Sequence, residues 1–113
     1  MDEPQFTLYR SCTPVTDVIY EADTARTPTD AIVHALATAT DTEPTELTPL
    51  YDSIDTEALN QMFGEHGGAR DAKAVLGFQV ENWNVFVRGD GRIRVCDATR
   101  QTDPEPVFQG KPA

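Results

Sequence analysis

Between residues 76 and 95 the apolar residues follow a parity rule that leaves little freedom in how the chain can fold. Leu76, Phe78 and Val80 alternate with small or polar neighbours; so do Trp83, Val85 and Val87; so do Ile93 and Val95. Successive strand side chains point to opposite faces, so each run is a strand with one apolar face. The step from even to odd positions demands a loop of even length, which makes Glu81-Asn82 a two-residue hairpin turn. The next step keeps odd parity, so its loop is odd. Gly89-Asp90-Gly91 fits, as a type I turn followed by Gly91 in the left-handed region. The register follows. Val80 faces Trp83, Phe78 faces Val85 and Leu76 faces Val87; then Val87 faces Ile93 and Val85 faces Val95. All eight apolar side chains fall on one face of a three-stranded meander. Helices cover that face, and the other meets solvent or a partner.

Upstream, Thr27-Pro28-Thr29-Asp30 reads as a helix start, with Thr27 as N-cap, Pro28 at the first position and Asp30 at the third. The helix runs to about Thr40, and Ala31, Ile32, Ala35, Leu36 and Ala39 form its buried stripe. Asp41 to Asp55 carries Pro44 and Pro49, yet Leu47, Leu50, Tyr51 and Ile54 mark it as packed turns. Asp55 caps a second helix with Ala58, Leu59, Met62 and Phe63 on its apolar face and Gly64 as its stop. Val18 to Glu21 is a short strand, and residues 6–11 alternate weakly. The expected fold is α+β in two layers. Two helices pack on a mainly antiparallel sheet that ends in the meander, in the order β-α-α-β-β-β. Residues 1–14 are an N-terminal extension with a candidate extra strand, 15–98 are the domain, and 99–113 are a flexible tail.

At 113 residues the chain is one domain, and its formal charge is -10, with only two lysines. The acids are spread along the chain, which fits a cytoplasm of molar salt, where the Debye length is only ~3 Å and carboxylate repulsion is screened. No apolar run reaches the length of a membrane span and no secretory leader is visible, so a cytoplasmic location is expected. Cys12 and Cys96 stand outside any metal-binding spacing and read as small buried or half-buried thiols.

No pairing of nucleophile and base is visible, and neither a catalytic residue nor a cofactor is expected. His34 and His66, without patterned Cys or carboxylate neighbours, do not make a metal site. Asp52 and Asp55 read as turn and cap residues. The glycine loops lack the strand–loop–helix order of a phosphate cradle. Arg88-Gly89-Asp90 spells an adhesion tripeptide by chance.

The segment Glu43-Pro44-Thr45-Glu46-Leu47-Thr48-Pro49-Leu50-Tyr51-Asp52-Ser53-Ile54-Asp55, followed by Glu57-Ala58-Leu59 and Met62-Phe63, resembles the haloarchaeal family called halobacterial output domain 1. The likeness covers roughly 27–97 and includes the meander with its Gly89-Asp90-Gly91 turn. The chain departs from the family pattern at Thr48, Thr56, Asn60 and Asn82-Trp83. Asn82 can take the positive φ of the turn, and Trp83 keeps the aromatic. The resemblance implies a role in haloarchaeal signal transduction and regulation, with no established biochemical activity and no catalytic residue to carry over.

One constellation stands out. The outer sheet face carries Gln79, Asn84, Phe86, Arg88, Arg92, Arg94 and Cys96. Arg88 lies opposite Arg92, a like-charge pair, and Arg94 lies opposite Phe86, where a guanidinium can stack on the ring. Either these arginines pair with nearby acids, or Phe86, Arg88, Arg92 and Arg94 form a docking face. The expected function is a non-enzymatic regulatory or interaction module that binds another protein or a second copy of itself. The alternatives are a transcription-regulation component that contacts DNA, and a small-ligand sensor. A charge of -10, with neither helix carrying Arg or Lys, argues against direct contact with nucleic acid.

Overall fold

The computed structural model describes residues 9–20, 27–47, 49–50, 54–63, 75–110 and 112. Four strands, β1 (Tyr9–Ile19), β2 (Val75–Val80), β3 (Trp83–Arg88) and β4 (Arg92–Pro106), accompany two helices, α1 (Pro28–Thr40) and α2 (Thr56–Phe63). A 3-10 turn at Pro44–Glu46 lies between the helices. The fold is α+β, and the 3-10 turn is an addition to the expected order. The sheet runs β1-β4-β3-β2 with every neighbour antiparallel.

The meander has the register that parity demands. Val80 pairs with Trp83, Phe78 with Val85 and Leu76 with Val87. Val85 then pairs with Val95 and Val87 with Ile93. Five of these side chains are buried, and Leu76, Phe78 and Trp83 pack against them. The first turn differs in one respect: the positive φ, 53°, belongs to Glu81 rather than Asn82. In the second turn Gly91 has φ 97° and donates its N–H to the Arg88 carbonyl at 2.9 Å. A side chain at Gly91 would run into the Tyr20 carbonyl oxygen.

Helix α1 starts as its sequence dictates. Thr27 accepts from the Asp30 N–H, and the Asp30 carboxylate accepts from the Thr27 N–H, so two free backbone donors are satisfied. It buries Pro28, Ala31, Ile32, Ala35, Leu36 and Ala37, while Ala39 packs at the margin. Asp55 caps α2 by accepting from the Ala58 N–H at 3.1 Å. Of the expected apolar face of α2, Leu59 is buried and Ala58 is exposed. Leu50 is buried, and Leu47 and Ile54 pack against the core. Phe6, Leu8, Tyr51, Asp52, Gly64, His66 and the Gly67-Gly68 loop lie outside the described residues, as do the side chains of Met62 and Phe63.

Two expectations about the flanks are corrected. There is no break near residue 14: one strand runs from Tyr9 to Ile19, with irregularities in its register on either side of Pro14. An edge strand tolerates Pro14 because the missing N–H need not join a ladder. The flexible tail expected from Thr99 is instead strand as far as Pro106. β4 slips register after Asp97, which faces Thr13, and resumes with Gln101 facing Cys12, Glu105 facing Arg10 and Pro106 facing Tyr9. Asp97 steadies this bend by accepting from the Thr99 N–H and hydroxyl. The exposed arm of β4 has β1 as its only strand neighbour among the described residues, which is why Pro104 and Pro106 fit there.

Candidate functional site

Beyond the arm, the chain turns at Val107–Gly110, closed by the Gln109 N–H donating to the Pro106 carbonyl at 3.0 Å. This turn lies on the outer face of the sheet. The expectation that this face meets solvent or a partner is corrected for its centre: the chain's own C-terminal segment lies over it there, and Arg94 and Cys96 are fully buried.

Arg94 sits at the centre. Its Nε and Nη2 donate to the two carboxylate oxygens of Asp17, both at 2.7 Å. Nη1 donates to the carbonyls of Val107 at 3.1 Å and Gln109 at 2.7 Å. Nη2 also donates to the Gly110 carbonyl at 2.8 Å. All five N–H groups of the guanidinium are therefore engaged. Arg10, only 3% exposed, faces the same turn from β1. It donates to the Val107 carbonyl at 3.0 Å, the Gln109 carbonyl at 2.7 Å, the Cys12 carbonyl at 2.9 Å and Glu105 at 3.1 Å. Two carbonyls of the turn thus each accept from both guanidiniums. Burial of a cation is tolerable only with such complete pairing.

Two further arginines, Arg88 and Arg92, gather with Arg94 around one ring, that of Phe108. The guanidinium carbons of Arg88, Arg92 and Arg94 lie 4.9, 5.5 and 6.0 Å from its centroid. Arg94 does face Phe86 across the ladder, but the ring it approaches is Phe108. Phe86 lies instead against Gly77, where a Cβ would come within 3.1 Å of the ring. Arg88 forms a two-pronged pair with Asp90, at 3.0 and 2.6 Å, and Arg92 comes within 3.7 Å of Asp17. The hydrogen bond from Arg88 holds the Asp90 carboxyl below the ordinary carboxylate range. The same bond raises the Arg88 guanidinium. The reading in which these arginines pair with nearby acids describes the site, and the segment that Arg94 holds and that Arg88 and Arg92 flank belongs to the chain itself.

Phe108 and Arg10 were not singled out from sequence. Val107-Phe108 is the apolar pair that interrupts an otherwise polar stretch, and it was the available signal.

Cys12 and Cys96 are both free and buried, and their thiols are neighbours beneath this layer. Burial first, and then the adjacent Cys12 thiol, push Cys96 up to about 12. Beside the cradle an open groove of about 430 Å³ runs past Tyr9, Ser11, Gly77, Gln79, Asn84 and Phe86. His34 is exposed on α1. Among the described residues no three His, Cys, Asp or Glu side chains converge as metal ligands, and no helix is long and apolar enough to cross a membrane.

The family model described as halobacterial output domain 1 matches residues 24–97. The chain belongs to the halobacterial output domain 1 family. A curated protein named disk-determining factor A, from Haloferax volcanii, is 42% identical over 57 residues, covering 49% of this chain and 86% of that protein. No solved structure matches. The halobacterial output domain match includes both helices, the meander and Arg94. Strand β1, with Arg10 and Asp17, lies outside the matched residues, as do the β4 arm and the Val107–Gly110 turn.

Proposed function

We propose that this chain is a cytoplasmic regulatory module of a haloarchaeon that acts by binding another protein and performs no chemistry of its own. Its binding surface is the outer face of the sheet, where Phe86, Arg88, Arg92 and Arg94 lie. The observation that carries this reading is the arginine cradle itself: two buried guanidiniums grip three carbonyls of a peptide turn, while a third and fourth flank its aromatic side chain. Guanidinium forks and an aromatic anchor are the chemistry of peptide recognition. The family supports a regulatory setting. The relative's name, a determining factor, fits an output role rather than a reaction.

The test uses the full chain as bait in molar KCl, with Arg88→Glu/Arg92→Glu as control. These two side chains are partly exposed, and circular dichroism of the reversed chain checks that it is folded. A partner captured by the natural chain and lost with the reversed one supports the reading; identical recoveries count against it. The groove favours a second reading, a small-ligand sensor. A thermal-shift screen in high salt checks it, and a specific rise of several degrees with one ligand class would promote it.

A further inference from the structure

We infer that the Val107–Gly110 turn is a tethered ligand, which occupies in cis the cradle where this module grips its partner, and that a partner segment of the same chemistry replaces it. The inference rests on the interaction reading and names what the partner offers.

The cradle shows what it recognises. Arg94 already has Asp17, Arg10 has Glu105 and Arg88 has Asp90, at 2.7, 3.1 and 2.6 Å. The charges are thus met from within the chain. What the turn adds is neutral: the carbonyls of Val107, Gln109 and Gly110 as acceptors, and the Phe108 ring as a π-face. The fitting partner is therefore a short uncharged turn with an aromatic residue at its second position and a glycine at its fourth, where Gly110 has φ 82°. An acidic segment would meet Asp17 on β1 and Asp90 in the meander turn, which stay in place when the arm lifts, whereas Glu105 leaves with the arm. Such a contact also suits molar salt, because buried guanidinium–carbonyl bonds are screened far less than exposed ion pairs.

The turn is also built to leave. No arm residue belongs to the apolar core, and Gln101–Glu105 are exposed. The arm is held by its ladder to β1 and by the cradle. Lifting it leaves the helix–sheet cluster closed and gives up the burial of one apolar side chain, Val107. Yet an emptied cradle loses the protein acceptors of two guanidiniums and leaves their donors to water, which favours refilling it. Exchange of one turn for another satisfies both demands.

The test uses a fluorescent peptide of residues 104–112 and the full chain in about 2 M KCl. A Phe108→Ala/Gly110→Val variant weakens the tethered turn. We expect the peptide to bind this variant at least ten-fold more tightly than the natural chain. Its Phe→Ala counterpart should not bind. Thiol reagents should label Cys12 and Cys96 faster in the variant, and added peptide should restore protection. Equal binding by both chains, or no binding by a folded variant, overturns the inference. Should the variant lose its circular dichroism, hydrogen exchange on the natural chain decides. The Gln109 amide should exchange about 100-fold faster than those of Val85 and Val95; equal protection means the turn is a fixed part of the fold and overturns the inference. A turn-bearing partner that binds while Gln109 stays protected sinks the tethered-ligand inference and leaves the interaction reading intact. A concentration-dependent dimer that protects Gln109 assigns the trans segment to a second copy and overturns the partner.

Discussion

At the scale of single residues the arginines divide by burial, and their substitutions should divide with them. Replacing Arg94 with Leu leaves Asp17 without its two-pronged partner and strips donors from three carbonyls. We expect a loss of about 3–5 kcal/mol. Arg88→Ala removes an exposed pair and should cost under about 1 kcal/mol. Urea midpoints in high salt separate the two, and equal losses would contradict the cradle. Cys96 carries a signature in pH. Its folded pKa, about 12, lies above the unfolded value, so its contribution is whole below the ordinary thiol range and fades as pH climbs toward the folded value. Stability should fall by about 1–2 kcal/mol between pH 7.5 and 10.5. A Cys96→Ala chain should be less stable at pH 7.5 but should show a flatter slope. Two backbone positions oppose each other. Gly91→Ala meets the Tyr20 carbonyl with a forbidden φ and should cost at least ~2 kcal/mol. Glu81→Asn relaxes a positive φ of 53° and should gain about 0.5 kcal/mol, read as a higher melting midpoint.

Among the elements, the two helices are joined by one polar clip. The Asn60 side-chain oxygen of α2 accepts from both the N–H and the hydroxyl of Thr29 in the first turn of α1, at 3.0 and 2.7 Å. Asn60→Leu should cost about 1–2 kcal/mol, whereas Asn60→Asp, which sets a carboxylate at a positive helix end, should cost nothing. Differential scanning calorimetry of both variants is sufficient. The meander was readable because its information is local: parity fixes the loops, and apolar burial fixes the face. Both helix starts were readable because Thr27, Asp30 and Asp55 cap within three residues of themselves. The β4 arm was not, because Thr99–Pro106 buries no apolar stripe and is held by a backbone ladder to residues far away in sequence. The cradle was half readable. Arg88, Arg92 and Arg94 shared a face by register, but Arg10 and Asp17 reach that face only through the pairing of β1 with β4.

For the whole molecule, charge and a modest core act together. A formal charge of -10 on a chain with 39% hydrophobic residues sets repulsion against a stability of only about 5–15 kcal/mol. Dialysis to about 10 mM salt removes the screening, so the helix signal should fall or the protein aggregate, and KCl should restore it. An unchanged spectrum across the series would sink the halophilic reading. Acid lowers stability as alkali does, but through other groups. Asp90 and Asp97 have depressed folded values, so their contribution is present above the ordinary carboxylate range and is lost as pH falls through the folded values. NMR titration should place both carboxyls below a typical exposed Asp, while Asp90→Asn should abolish the Arg88 part of the effect.

The pairing of β1 with β4 also sets a clock. Asp17 and Arg94 stand 77 positions apart, and Arg10 and Val107 stand 97 apart, whereas each meander turn closes over two or three residues. Closing a loop of that span costs about 4 kcal/mol in chain entropy before any contact repays it, so the hairpins form while the flanks are still searching. The single tryptophan, Trp83, sits in the early part and serves as its reporter. In stopped-flow refolding its fluorescence should settle before the Cys12 and Cys96 thiols become protected. Changes at Asp17 or Arg94 should hasten unfolding and barely slow refolding. The time a newly made chain needs to become competent is then set by the meeting of two distant strands, and until they meet the molecule carries a finished meander with its cationic face bare.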